Sequence, residues 1–122
     1  MTGETIKTVL EDVCDNLFNP DPYYQQGGDM VRVGGLEYVC RPTERMGNRI
    51  GEMRLNGKLI DASKKYKVAG WAPVAEEAKS QNLKPVWEVV EQWFKANGGK
   101  VKARKPNVPK LEGVLPNPGF AA

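Results

Sequence analysis

Within "NPDPYYQQGGDMVRVGG", Asn19 to Gly35, several side chains suited to holding a ligand fall close together. Arg32 offers a planar fork of donors that matches an oxyanion such as phosphate, sulfate or sulfonate. Met30 shares one face of an extended segment with it, and Asp29 precedes both. Tyr23, Tyr24 and, farther on, Trp71 can lay an apolar body against a ligand and still donate a hydrogen bond. A plainer arrangement uses the same residues. In it the tyrosines fold back over the edge of the core, and Arg32 pairs with Asp29 or Glu37. Composition does not separate the two.

Catalysis by this chain alone is a poor fit. Histidine is absent, which removes the commonest general base and metal ligand. The two cysteines, Cys14 and Cys40, are too few for a thiolate zinc site, and their pairing is open. Glu11, Asp12 and Asp15 fall on one helical segment and read as solvated surface charge. No serine stands in a nucleophile elbow. The glycines around Asp29 to Val33 lack the GxGxxG spacing, and no helix N-terminus follows them to hold a phosphate. Chemistry at Arg32 is therefore binding chemistry.

The elements that position these residues follow from periodicity. Ile6, Val9, Leu10, Val13, Cys14 and Leu17 recur on one helical face, with Thr2 as N-cap and Asn19-Pro20 as stop. That predicts a helix over Gly3 to Phe18. "DMVRV" reads as a short strand, "LEYVC" as another, and "RIGEMRL" as a third. "NGK" at Asn56 to Lys58 marks a tight hairpin that folds "KLID" back antiparallel. "KYKVAGW" from Lys65 reads as a further strand. A second helix begins near Pro85, with Val86, Val89, Val90, Trp93 and Phe94 as its apolar face and Asn97-Gly98-Gly99 as its stop. The order is α+β: a small, mainly antiparallel or mixed sheet with packed helices.

At 122 residues the chain is one domain by size, read as 1–99, followed by an extended basic, proline-rich tail over 100–122. Residues 100–110 hold five basic residues and no acid, within a net charge of +3. No arginine–aromatic interleaving marks that tail for nucleic acid, so neither nucleic acid nor a membrane is expected as a partner. The start, "MTGETIKTVL", has no basic stretch leading into an apolar one, so no secretory signal is expected there.

"YYQQGGDMVRVGGLEYVC" and "MGNRIGEMRLNGKLIDASKKYKVAGWAPV" resemble the C-terminal domain of the 5′-nucleotidase family of two-metal hydrolases. Over about residues 2–100 the chain is similar to one branch of it, the SoxB thiosulfohydrolases of bacterial Sox sulfur oxidation. "VGGL", the "LNGKLID" hairpin and "YKVA" belong to the looser family pattern. Nucleotidases typically continue past that last strand with "NDFLAAGGDGY", whose aromatic stacks a nucleobase. Here "GWAPVAEEA" stands instead, which fits a substrate with no base.

The resemblance implies that the domain is N-terminally truncated. It also implies two manganese ions held by a missing N-terminal metallophosphoesterase domain, with none in this chain. The implied partners are that domain and a SoxY-type carrier bearing a cysteine S-thiosulfonate, from which the full protein releases sulfate. Substrate contact then falls to Asp29, Met30, Arg32 and Trp71, with Tyr23 and Tyr24 beside them. The implied location is the periplasm. Two other functions share the pattern: a nucleotidase or phosphoesterase C-terminal domain, and a carrier-docking module with no part in the chemistry.

Overall fold

The computed structural model describes residues 1–70, 82–103 and 107–114. They fall into two compact units, one built from Met1–Val68 with the described residues 107–114, the other lying within 69–105.

Helix α1, Gly3–Phe18, runs as its apolar spacing dictates. The Thr2 hydroxyl accepts from the Thr5 amide at 3.1 Å, satisfying one of the free donors of the first turn. Leu10 and Cys14 are buried and Ile6 packs beside them. At the other end Pro20 forbids continuation, and the Asn19 amide donates to the Asp15 carbonyl at 2.9 Å. Gly3 is buried tightly under the chain at Ile60 and Asp61; a Cβ there would meet the Asp61 carbonyl oxygen and come within 2.5 Å of Ile60 Cγ2.

Among the described residues the sheet has four strands in the order β3-β2-β1-β4. Strands β1 (Leu36–Cys40) and β2 (Ile50–Leu55) pair antiparallel, as do β2 and β3 (Lys58–Leu59). Asn56 and Gly57 both have positive φ, 52° and 76°, the backbone a two-residue primed hairpin turn requires. Between Glu37 and Val39 the β1–β2 register slips by one residue, a bulge that leaves Glu52 at φ 49°. Tyr38, Cys40 and Ile50 face Leu10 and Cys14, so the core lies between α1 and the middle strands. This is the mixed α+β arrangement expected.

Strand β4 (Lys110–Leu111) pairs parallel with β1 at Val39 and Cys40. It comes from the stretch that the sequence presents as an extended tail. Arg41 anchors it through Glu112 at 2.9 Å, and the Glu112 amide donates to the Cys40 carbonyl at 3.0 Å.

Two expected strands do not form. "DMVRV" makes a single bridge, Val33 to Asn107, and is otherwise irregular. Glycine pairs bound it on both sides, and its one partner, Asn107, lies just ahead of β4. Of "KYKVAGW", residues 65–70 are described, and they are likewise reduced to one bridge, Lys65 to Thr2. The next residue pairs with Met1 through both backbone groups of Tyr66, but helix α1 starts at Gly3 and ends the ladder there.

The second unit contains α2, Val86–Ala96, entered through Pro85 and closed at Asn97, Gly98 and Gly99 as the spacing predicts. The Asn97 side chain donates to the Trp93 carbonyl at 2.8 Å, and the two following glycines have φ of 63° and 70°. Trp93 and Phe94 meet edge to face with centroids 5.7 Å apart.

Candidate functional site: a groove beside helix α1

The loop from Asn19 to Gly35 is held in place by short-range hydrogen bonds. Asp21 accepts from the Tyr23 amide at 2.9 Å, a turn geometry common for aspartate. The Gln25 side chain donates to the Asn19 carbonyl at 2.8 Å, and the Gly27 amide to the Asn16 carbonyl at 3.1 Å. Beyond the irregular segment, the Gly35 amide donates to the Asn107 side chain at 3.0 Å. The loop is thus tied to α1 at its start and to the approach of β4 at its end.

Between this loop, the end of α1 and the turn after β1 lies an open groove of about 1770 Å³. Its apolar lining includes Phe18, Val31, Met46 and Leu111. Its charged lining includes Asp29, Arg32, Arg45 and Glu44. Asp29, Met30 and Arg32 all line this groove. Met30 is half-buried against the core, while Arg32 is exposed and makes no ion pair among the described residues. The pairing of Arg32 with Asp29 or Glu37 is not found. Small-molecule sites commonly enclose roughly 300–1,000 Å³. This groove is larger and open.

Tyr23 and Tyr24 stand apart from that surface. They meet edge to face with centroids 5.5 Å apart and are 82% and 54% exposed, so they neither fold over the core nor line the groove. Trp71 lies outside the described residues.

A charged brace that periodicity alone misplaces reaches the groove through Asp15 and Arg49. Glu11 and Asp15, read as solvated helix surface, are engaged instead. Glu11 is 3% exposed and accepts from the amides of Gly47, at 2.8 Å, and Ile50, at 2.8 Å. Lys7 completes the set at 2.6 Å. Burial alone would raise the Glu11 pKa, but the Lys7 ammonium and the Ile50 and Gly47 amides outweigh it and hold the carboxyl below its ordinary range. Arg49, 2% exposed, donates through Nη1 to Asp15, through Nη2 to the Phe18 carbonyl at 3.1 Å, and through Nε to the Glu44 carbonyl at 2.7 Å. The Arg49 guanidinium, with help from Asn19, lowers the Asp15 pKa. An arginine at the C-terminal end of α1 also meets the negative pole of the helix. Lys7, Glu11 and Asp15 recur at i, i+4 beside Leu10 and Cys14, the one signal in the sequence that could have placed them at the sheet.

Among the described residues no group of three or more His, Cys, Asp or Glu is placed to hold a metal ion. None of their helices is long and apolar enough to cross a membrane.

The family model described as "5'-nucleotidase, C-terminal domain" matches residues 1–82. No curated protein matches the chain. Among solved structures, a Thermus thermophilus sulfate thiohydrolase SoxB, in complex with glycerol, is 33% identical with a TM-score of 0.70. The likeness covers 94% of this chain and 22% of the SoxB chain.

Proposed function

The chain belongs to the 5′-nucleotidase C-terminal domain family, and from that premise we propose that it is the substrate-binding C-terminal domain of a SoxB-like thiosulfohydrolase. The full enzyme releases sulfate from a cysteine S-thiosulfonate on a SoxY-type carrier in the periplasm. Water adds to the terminal sulfonate sulfur, the sulfur–sulfur bond to it breaks, hydrogensulfate leaves, and the carrier keeps a persulfide. Two manganese ions belong to an N-terminal metallophosphoesterase domain outside this chain, and the residues described here offer them no site.

The part assigned to this chain is orientation. The carrier arm lies in the groove against apolar lining residues such as Phe18 and Val31, and Arg32 meets the sulfonate with its planar donor fork, next to Asp29 and Met30. Trp71, Tyr23 and Tyr24 are assigned to the approach of the arm. The observation that carries this reading is the 33% identity with the SoxB structure over 94% of the chain, together with an exposed Arg32 that has no ion-pair partner among the described residues and lines an open groove.

Backbone amide signals of the chain, followed during titration with a thiosulfonate-bearing carrier peptide, test the proposal. Asp29, Met30 and Arg32 should shift, and the unmodified peptide should move them less. The family match itself favours a second reading, a nucleotidase domain, in which AMP moves Arg32 and the peptide does not. A response to folded carrier that ignores the sulfur modification would reduce the role to docking.

A further inference from the structure

Cys14 and Cys40 meet where α1 packs on β1. Cys14 is wholly buried on the inner face of the helix, and Cys40, at the last position of the strand, is 1% exposed. Their Sγ atoms lie 3.6 Å apart across 26 positions of chain, and both are free thiols. Leu10, Tyr38 and Ile50 surround them. The buried Tyr38 hydroxyl has no hydrogen-bond partner among the described residues, so this pocket of the core offers the thiols little polar support. Neither the groove nor the chemistry proposed for it uses either sulfur.

We propose that Cys14 and Cys40 are a disulfide-forming pair, closing into a covalent link between α1 and β1 when the chain folds in the presence of a small disulfide oxidant. A disulfide needs its sulfurs roughly 2 Å apart, so the two must approach by about 1.5 Å, a small side-chain adjustment for groups already in contact. The Cys40 thiolate attacks one sulfur of the oxidant and expels the first thiolate, giving a mixed disulfide. The Cys14 thiolate then attacks the Cys40 sulfur and expels the second. The two protons lost by the cysteines end on the two departing thiols, so the chain is oxidised by two electrons and the oxidant reduced by two.

Burial sets the order of events. An oxidant reaches these sulfurs before α1 seals the core, and a reductant is kept from them afterwards.

The test is refolding of the reduced, denatured full chain in a glutathione redox buffer, followed by alkylation in denaturant with N-ethylmaleimide. The expected product is a monomer two hydrogens lighter than the reduced chain, carrying no adduct. Its unfolding midpoint should exceed that of the same chain in excess reductant by roughly 10 °C. Oxidation of chain that was folded before the buffer was added should be at least tenfold slower. In Cys14→Ala the midpoint should no longer respond to reductant; if that variant does not fold, the comparison with and without reductant on the unaltered chain decides. Two maleimide adducts on chain refolded under oxidising conditions, or linkage solely between chains, would overturn the proposal.

Discussion

Arg49, at the entrance to β2, donates to the Asp15 carboxylate on the last turn of α1 while also donating to the Phe18 carbonyl that ends the helix. One guanidinium thereby fixes the end of the helix to the sheet and forms part of the lining of the groove. Arg49→Met keeps much of the side-chain volume but leaves Asp15 and two carbonyls without their donor. A loss of about 2–4 kcal/mol is expected in urea unfolding, since a buried charged partner is removed and its acceptors stay behind. A change below 0.5 kcal/mol would show that water substitutes freely for the arginine.

Acid should act through the same brace. A carboxyl whose pKa is lower in the folded than in the unfolded chain binds its proton more weakly when folded, so protonation favours unfolding. The stabilisation from Glu11 and Asp15 is complete above their ordinary values of 4.5 and 3.8 and drains away as pH falls below them. Thermal melts between pH 6 and pH 2.5 should show a steep acid limb that Asp15→Asn makes shallower. An unchanged limb in that variant would remove Asp15 as its source.

At Gly3 helix propensity and packing predict opposite signs. Alanine in a helix is worth up to about 1 kcal/mol over glycine. Here the added methyl would collide with backbone at Asp61 and with Ile60, which cannot move without shifting the chain after β3. Gly3→Ala is expected to destabilise by about 1–3 kcal/mol. Stabilisation would mean that the chain at Ile60 and Asp61 yields easily.

Glu52 occupies the left-handed position of the β-bulge, φ 49°, where glycine is the usual residue. Its contact with Arg41 is long, 3.8 Å, and more than half exposed, so little is lost with the side chain. Glu52→Gly should therefore raise stability by about 0.5–1 kcal/mol, against the usual cost of glycine within a strand. A guanidinium chloride midpoint that falls would place the bulge under no strain.

Arg32 is tested in the full-length enzyme. Arg32→Met should leave the melting curve in place, because the side chain is exposed and unpaired among the described residues. Turnover of the carrier-bound thiosulfonate should fall by about 10²–10³ if the guanidinium meets the transferred oxyanion. An intact rate with an intact fold takes Arg32 out of the site.

Much of this was legible because it is local. The Thr2 cap, the apolar stripe of α1, the Asn56-Gly57 turn and the stop after α2 are each written in a few neighbouring residues. What escaped depends on partners far along the chain. Among the described residues Val33 is bridged by Asn107, more than 70 positions away, and Lys110–Leu111 become a strand because the edge of β1 accepts them. Glu11 looks like helix surface until Gly47 and Ile50 bring their amides to it. At the groove, the strand that Arg49 opens was readable from "RIGEMRL", whereas the burial of Arg49 against Asp15 and the irregular backbone around Arg32 depend on partners far along the chain.

The parallel partnership of β1 with β4 has a consequence for biosynthesis. Residues 69–105 are translated between the two strands, so the flank of Val39 and Cys40 leaves the ribosome with its amides and carbonyls unclaimed. Until Lys110 and Leu111 emerge, that flank is an open template for a neighbouring nascent chain, and pauses in translation over that interval should favour clumping.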